Sequence, residues 1–190
     1  MPKQPENIVY IAIYACIDGK AAEELTNIIA TKIPKDTQIL YLLISTGGGS
    51  VFHGFALYNL LRGLSYKIIT YNIGDADSIG NVLMMAGEER YAAGNAVFLI
   101  HGVHSEVKEQ QKITSAFLQE KLSCIQSDED RIRATIVKHS NIALDELNRF
   151  FCSGIVQDAQ YALKHGMIHA IKELELPLNA VLFTVMASIK

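Results

Sequence analysis

A serine that follows one apolar segment and a glycine-rich turn that follows another could together support acyl transfer. Ser78 lies just after the apolar segment 66–73, where the pattern predicts that a strand ends at Gly74 and a helix runs over 78–86. A hydroxyl at such a junction can act as a nucleophile, because the helix dipole favours a nearby anion and the first-turn N–H groups are free. The alternative is that Ser78, or Asp77 beside it, only caps the helix.

Acyl transfer also requires a base and fixed hydrogen-bond donors for the developing oxyanion. His101 directly follows the apolar segment 97–100 and is the candidate base, because imidazole titrates near neutral pH. The backbone N–H groups of Gly49 and Ile79 are the candidate donors. The glycines in TGGGS (46–50) fit neither a P-loop, since no G-K-[ST] follows, nor the G-x-G-x-x-G spacing of dinucleotide sites.

Alternating strands and helices are predicted to position these residues. The apolar segments indicate strands at 8–15, 39–45, 66–73 and 97–100, separated by helices at 20–33, 51–64 and 78–86. This order predicts a mostly parallel sheet covered by helices. Functional sites in such folds gather beyond the carboxyl ends of strands, so we expect Gly49, Ser78 and His101 to converge.

The second half of the sequence is predicted to be mainly helical. A long amphipathic pattern covers 109–139 with a charged middle, SDEDRIR, and such a helix often projects from its domain to meet a partner. Two shorter helices are predicted at 143–150 and 159–165, the second capped by Asp158, and a short strand at 167–171. The tail from residue 176 has no clear pattern. No linker is evident, so we expect one domain over 1–190.

The overall composition is that of a globular protein and excludes several functional classes. The 190 residues are 49% hydrophobic and 19% charged, with a net charge of −3 and no Lys/Arg-rich segment, which argues against nucleic-acid binding. No signal peptide or transmembrane segment is apparent. Cys16, Cys124 and Cys152 form no CxxC pair and are expected to be reduced core or helix residues of a cytoplasmic protein.

Four segments resemble motifs of the proteolytic subunit of the Clp protease, within the wider ClpP/crotonase superfamily. ISTGGGS (44–50) resembles the family's S-P-G-G turn, and GDADSIG (74–80) resembles its G-x-A-x-S-x-G nucleophile segment. The residues around FLIH (98–101) resemble its P-N-x-x-x-M-I-H strand, and 158–168 resembles its closing S-A-x-E-A-x-x-Y-G-L-V motif. The resemblance extends over about residues 8–171.

The resemblance implies a ClpP/crotonase-like α/β fold and a serine endopeptidase. In that family Ser78 would form an acyl-enzyme, His101 would be the base, and the N–H groups of Gly49 and Ile79 would hold the oxyanion. The long helix would be the handle through which stacked rings of a homo-oligomer meet. The substrates would be peptides or unfolded proteins, with no cofactor or metal. An ATPase unfoldase is a family partner, but only seven residues precede the first predicted strand, where the family has a longer N-terminal arm.

The sequence departs from the family pattern around the glycine turn and the nucleophile. Thr46 and an additional glycine replace the family's proline, and Gly49 keeps the spacing to Ser78, so we prefer it to Gly48 as the oxyanion donor. Asp77 and Asn81 replace small residues beside the nucleophile, and Asp77 would raise the pKa of a nearby histidine.

The triad acid is also missing. Its expected position falls on Gly154, in the segment Cys152-Ser153-Gly154-Ile155, and nothing acidic lies between Glu146 and Asp158. A Ser–His dyad is one alternative, and a polar substitute such as Ser153 or Asn148 is another. Because loss of the orienting acid typically lowers the rate by several orders of magnitude, this position bears directly on activity.

Three functions therefore remain open from the sequence. The first is a Clp-type serine endopeptidase. The second is a catalytically weakened or inactive ring subunit, which Gly154 favours. The third is a crotonase-like enzyme acting on an acyl thioester, with the glycine turn and Ile79 polarising the carbonyl. The pairing of Ser78 with His101 argues against the third, because such enzymes usually rely on carboxylates and do not require a serine.

Overall fold

The computed structural model describes residues 7–107 and 112–186 and contains a single eight-stranded sheet with helices packed on it. The first half comprises β1 (Ile8–Tyr14), α1 (Gly19–Thr31), β2 (Ile39–Thr46), α2 (Val51–Arg62), β3 (Lys67–Ala76), α3 (Ile79–Met84), β4 (Glu89–Ala92) and β5 (Val97–Ile100). The second half comprises α4 (Ser115–His139), α5 (Leu144–Ser153), β6 (Ile155–Asp158), α6 (Ala159–Lys164), β7 (Ala170–Ile171) and β8 (Val181–Met186).

The sheet is mostly parallel, as predicted. Its main strand order is β6-β5-β3-β2-β1-β8, and β4 pairs with β3 and with β7. The β5–β6 pair is antiparallel, whereas the other pairs of named strands are parallel. Because β2, β3 and β5 run in one direction beside each other, the residues that follow them meet at one edge of the sheet.

The apolar strands are buried on both faces, which explains their nearly continuous hydrophobic sequences. Side chains on one face pack against α1, α2 and α3 in the main core, with Ile11, Leu42 and Ile44 among the fully buried residues. The opposite face holds a second cluster in which Tyr10 stacks on Tyr41 with ring centroids 5.3 Å apart. The central strands, which position the candidate residues, are therefore rigidly packed on both sides.

The predicted end of the third strand at Gly74 is wrong. β3 continues to Ala76, and the β2–β3 register shifts between Ile44 and Thr46, which is a bulge. Gly74 lies in this irregular region, where a Cβ would come within 2.9 Å of the Ser45 hydroxyl oxygen. The helix after it begins at Ile79 rather than at Ser78.

Other predicted boundaries also differ from the structure. The long helix begins at Ser115 with Thr114 as its N-cap, residues 112–114 are not helical, and the predicted start at 109 lies outside the described residues. The strand predicted at 167–171 is reduced to Ala170–Ile171. The predicted Asp158 cap is confirmed by a 2.7 Å hydrogen bond from the Tyr161 N–H. The strands β4, β6 and β8 were not predicted.

The surface of the chain includes the three cysteines and much of the long helix. All three are unpaired and exposed; Cys124 and Cys152 lie in α4 and α5, in agreement with the expected core or helix positions, whereas Cys16 lies in neither the core nor a helix. On α4 only Ile132 and Ile136 are buried. No helix within the described parts of the chain combines the length and the apolar character needed to cross a bilayer.

Candidate active site

Ser78 lies in a strained turn between β3 and α3. Its φ of 54° and ψ of −121° make it the only described non-glycine residue with a positive φ, a conformation that side chains normally avoid. A sharp strand-to-helix turn of this kind presents a serine hydroxyl at the top of a sheet. The Ser78 hydroxyl makes no capping bond to α3, so the capping alternative is wrong for this residue.

The glycine turn packs directly against Ser78. A Cβ at Gly48, where φ is 92°, would lie 2.7 Å from Ser78 Cβ and 2.9 Å from the Asp77 carbonyl oxygen. Gly80 is similarly close to Thr46, because a Cβ at Gly80 would lie 2.7 Å from Thr46 Cγ2. Only residues without a side chain allow this approach. The glycines therefore bring the turn after β2 against the turn after β3.

Hydrogen bonding within the turn favours Gly49 over Gly48 as an anion donor. The Gly48 N–H donates to Thr46 Oγ1 at 3.1 Å, and that hydroxyl donates to the Ala15 carbonyl at 2.6 Å. Thr46 thus organises the turn at the position of the family's proline. The N–H groups of Gly49 and Ile79 have no acceptor among the described residues. Neither N–H is used within the described chain, so both are candidate donors to a substrate oxyanion; Gly49 is exposed, whereas Ile79 is fully buried.

Three residues around the nucleophile hold the strand that leads to His101. The Ser78 N–H donates to the Leu99 carbonyl at 2.8 Å, and Asn81 Nδ2 donates to the same carbonyl at 2.8 Å and to the Ser78 carbonyl at 3.1 Å. The Leu99 N–H donates to Asp77 Oδ1 at 3.0 Å. Asp77 therefore does not cap α3 with its side chain. The two departures from small residues, Asp77 and Asn81, join the Ser78 turn to β5.

The Asp77 carboxyl is also an electrostatic neighbour of the site. Burial raises its pKa above the ordinary value, and the nearby Asp75 charge raises it further. The Leu99 N–H and His101 act in the opposite direction, because both favour the ionised carboxylate. Asp77 is thus close enough to interact with His101 through its charge, although its hydrogen bond goes to β5.

His101 is oriented by a backbone carbonyl. Its Nδ1 lies 2.7 Å from the carbonyl oxygen of Gly102. Since a carbonyl oxygen can only accept, Nδ1 carries the proton and Nε2 has the free lone pair that a general base requires. The His104 ring stacks on the His101 ring with centroids 4.7 Å apart and an interplanar angle of 18°.

Ser78 and His101 are on the same edge of the sheet but are not hydrogen-bonded to each other. The Ser78 hydroxyl has no hydrogen-bond partner within residues 7–107 and 112–186. Catalytic hydrogen bonds are often long in a free enzyme and shorten when substrate binds. The structure therefore brings the nucleophile and base candidates to one edge without joining them.

Gly154 lies beside His101, where the sequence placed the missing acid. A Cβ built on Gly154 would be 3.7 Å from His101 Cβ, and its φ of 69° is a conformation that favours glycine. Neither polar substitute replaces the acid in this structure. The Ser153 hydroxyl donates to the Arg149 carbonyl at 2.9 Å, and the exposed Asn148 forms no hydrogen bond with the His101 ring.

Glu129 is a site neighbour that sequence reasoning missed. Its Oε1 accepts a hydrogen bond from the Val103 N–H at 3.1 Å, in the loop directly after His101. Twenty-six positions separate Glu129 from Val103. No local motif indicates this contact, because Glu129 lies in the charged middle of α4, which looks like an ordinary solvated surface.

An open groove of about 580 Å³ lies beside His101 and could receive a side chain of a substrate. Its walls are formed by the loop after β5, by α4 and by the end of α5: Leu99, His101, Gly102, Val103, His104, Glu129, Phe151, Cys152, Ser153 and Gly154. Another depression, of about 520 Å³, lies at the start of β1 and contains none of the candidate residues. Of the predicted nucleophile, base and oxyanion donors, only His101 is among the residues that line the groove beside it.

Comparisons with known proteins agree with this architecture. A family model described as Clp protease matches residues 6–175. The chain is 32% identical over 118 residues to the ATP-dependent Clp protease proteolytic subunit 2 of Tropheryma whipplei. This alignment covers 57% of this chain and 64% of the relative, so the chain matches less than two thirds of the relative's length. It is 25% identical over 159 residues to the ATP-dependent Clp protease proteolytic subunit of Lactococcus lactis subsp. cremoris, covering 82% and 78%.

A solved structure shares the fold. A ClpP1 mutant from Listeria monocytogenes superimposes with a TM-score of 0.75 and covers 87% of this chain and 92% of that chain. The sequence identity between the two is 16%, so this likeness concerns the fold alone.

Proposed function

Because the chain belongs to the Clp protease family, we propose that it is a serine peptidase that cleaves peptides through an acyl-enzyme at Ser78. The observation that supports this most strongly is the strained turn at Ser78, whose N–H donates a hydrogen bond to the strand that leads to His101. Strain at a single non-glycine residue, beside a glycine turn with a free N–H, is typical of a nucleophile held for attack.

The proposed reaction follows from the tautomer of His101 that the Gly102 carbonyl favours. Its Nε2 accepts the proton of Ser78 Oγ while Oγ attacks the carbonyl carbon of the scissile peptide bond. The N–H groups of Gly49 and Ile79 stabilise the oxyanion of the tetrahedral intermediate. The imidazolium then protonates the leaving amine, and a water deprotonated by Nε2 hydrolyses the acyl-enzyme and releases Ser78.

The chain would act as part of an assembly with partners. A homo-oligomer of stacked rings would use α4, whose first half exposes Leu118 and Leu122 with 53% and 55% of their surface accessible. The substrates would be peptides or unfolded proteins. An ATPase unfoldase is a further candidate partner, since the relatives named above are called ATP-dependent. The cytoplasm is the expected location.

A second candidate function is a weakened or inactive subunit of such a ring. Gly154 beside His101 and the absence of a Ser78–His101 hydrogen bond favour it. The acyl-thioester alternative would use the same Gly49 and Ile79 N–H groups but does not require a serine, so the strained Ser78 turn favours the peptidase over it.

The test is cleavage of a fluorogenic peptide and of an unfolded protein by the purified chain. We expect cleavage that is lost in Ser78→Ala and in His101→Ala and is retained in Ser65→Ala, an exposed serine in the turn before β3. Cleavage that survives Ser78→Ala would refute the proposal. Absence of cleavage by an assembled, folded oligomer would support the second candidate instead.

A further inference from the structure

We infer that Glu129 is a positioning residue that orients His101 through the Gly102–Val103 peptide group, in place of the missing triad acid. The inference rests on the proposed function, since it assigns Glu129 a role toward the same base. Glu129 lies in the long helix α4, and the sequence alone predicts only a structural role for that helix.

A single peptide group connects the carboxylate to the imidazole. Its carbonyl, from Gly102, accepts the proton on His101 Nδ1 at 2.7 Å, and its N–H, from Val103, donates to Glu129 Oε1 at 3.1 Å. The peptide bond is a resonance system, so a negative charge at the N–H increases the negative charge on the carbonyl oxygen. Glu129 therefore strengthens the acceptor that keeps the proton on Nδ1.

Glu129 is itself held in place. Its Oε2 lies 2.6 Å from Arg133 Nη2, and the two side chains are only 19% and 18% exposed. The Arg133 guanidinium also stacks over the Phe151 ring at 4.4 Å from its centroid. A carboxylate with one oxygen on an arginine and the other on a backbone N–H has little freedom to turn away.

The backbone at Gly102 packs closely against α4 and the end of α5. A Cβ at Gly102 would lie 2.8 Å from Glu129 Oε1 and 2.7 Å from the Phe151 carbonyl oxygen. The peptide group is thus wedged between α4 and the end of α5. Its carbonyl direction, and with it the His101 ring orientation, is set by these two helices.

This arrangement performs the two tasks of a triad acid without contacting the ring. The acid of a Ser-His-Asp triad selects the tautomer with the proton on Nδ1 and stabilises the imidazolium that forms during reaction. Here the Gly102 carbonyl selects the tautomer, and the Glu129 charge acts through the peptide dipole. Gly154 has no side chain, so no acid stands at the position from which a triad acid would contact the His101 ring.

The test compares Glu129→Gln with Asp130→Asn in the full chain. Both substitutions remove one carboxylate from Arg133, because Asp130 Oδ1 also lies 2.9 Å from Arg133 Nη1. Only Glu129→Gln removes the negative charge of the group that accepts the hydrogen bond from the Val103 N–H. We expect the rate of Ser78 labelling by a fluorophosphonate to fall by about fivefold to tenfold in Glu129→Gln, and by less than about twofold in Asp130→Asn.

The second readout is the tautomer of His101, measured by NMR of its ring nitrogens. We expect the Nδ1–H form in the wild type and in Asp130→Asn, and a larger share of the Nε2–H form in Glu129→Gln. A purely structural role for Glu129 would leave the tautomer unchanged in a folded variant. If Glu129→Gln does not fold, the charge-balanced pair Glu129→Gln with Arg133→Gln is expected to give the same tautomer change.

These outcomes separate the inference from the proposed function. A wild type that does not react with the probe would refute the peptidase proposal, while the NMR comparison would still decide the role of Glu129. Equal labelling rates or equal tautomers in the wild type and Glu129→Gln would overturn the inference. Equal losses in Glu129→Gln and Asp130→Asn would also overturn it, because they would assign the effect to Arg133.

Discussion

The amide of Asn81 should contribute measurably to stability, because it joins the nucleophile turn to the strand of the candidate base. Its Nδ2 donates two hydrogen bonds, to the Leu99 carbonyl at 2.8 Å and to the Ser78 carbonyl at 3.1 Å, and the residue is only 1% exposed. Its Oδ1 is buried without a hydrogen-bond partner among the described residues. The substitution Asn81→Ala removes all three features at once.

The expected loss of stability can be worked out from these contacts. Two hydrogen bonds contribute about 1 kcal/mol each, and removing an unpaired buried oxygen returns about 1 kcal/mol. Both carbonyls keep a second donor, since Leu99 also accepts from the Ser78 N–H and Ser78 from the Asn81 N–H. The void left by the amide adds roughly 0.5–1 kcal/mol. The free energy of unfolding should therefore fall by about 1.5–2 kcal/mol.

Urea denaturation of Asn81→Ala and of Asn59→Ala, an exposed asparagine of α2, would measure this difference. We expect the control to remain within about 0.5 kcal/mol of the wild type. Labelling of Ser78 by a fluorophosphonate should slow in Asn81→Ala and remain unchanged in the control. An Asn81→Ala chain that is as stable as the wild type would refute the reasoning, because the two bonds would then contribute nothing.

The close packing of the glycine turn against Ser78 and the partial burial of two histidines each lead to a testable expectation. Gly48→Ala should abolish Ser78 labelling and destabilise the fold by about 2 kcal/mol or more, since the new Cβ would lie 2.7 Å from Ser78 Cβ and φ at this position is 92°. Gly47→Ala is the control, because a Cβ at Gly47 would meet no atom within 4 Å. Stability should decrease as the pH falls below about 6.5, because burial lowers the pKa of His139 and of His169 in the folded chain, so the unfolded chain binds more protons. Urea denaturation at about pH 7.5 and about pH 5.5 should show this decrease, and replacing both histidines by glutamine should reduce it; an equal decrease in the double variant would contradict the assignment.

The parts of the fold set by local patterns could be predicted from the sequence. Apolar segments followed by glycine, serine or histidine indicated the strands that lead to Gly49, Ser78 and His101, and their parallel arrangement follows from the intervening helices. The extension of β3 to Ala76 could not be predicted, because Gly74 looks like a strand end unless the bulge opposite it is known. In the same way β8 depends on pairing with β1 across almost the whole chain.

The contacts that orient the candidate base could not be predicted, because they join distant segments. Glu129 approaches Val103 only through the packing of α4 against the loop after β5. The Gly102 carbonyl is a backbone group that every residue type has, so the sequence does not indicate that it accepts a hydrogen bond from His101. Asp77 and Asn81 are recognisable as departures from the family, but their shared function at Leu99 requires the register of β5.

The most direct test of the account is the site and rate of reaction with a fluorophosphonate, followed by mass spectrometry of the intact chain and its peptides. The account predicts one adduct per chain, on Ser78, that is absent in Ser78→Ala and strongly reduced in His101→Ala. An adduct on another residue, or no adduct on the folded wild type at any pH, would contradict the claim that Ser78 is an activated nucleophile.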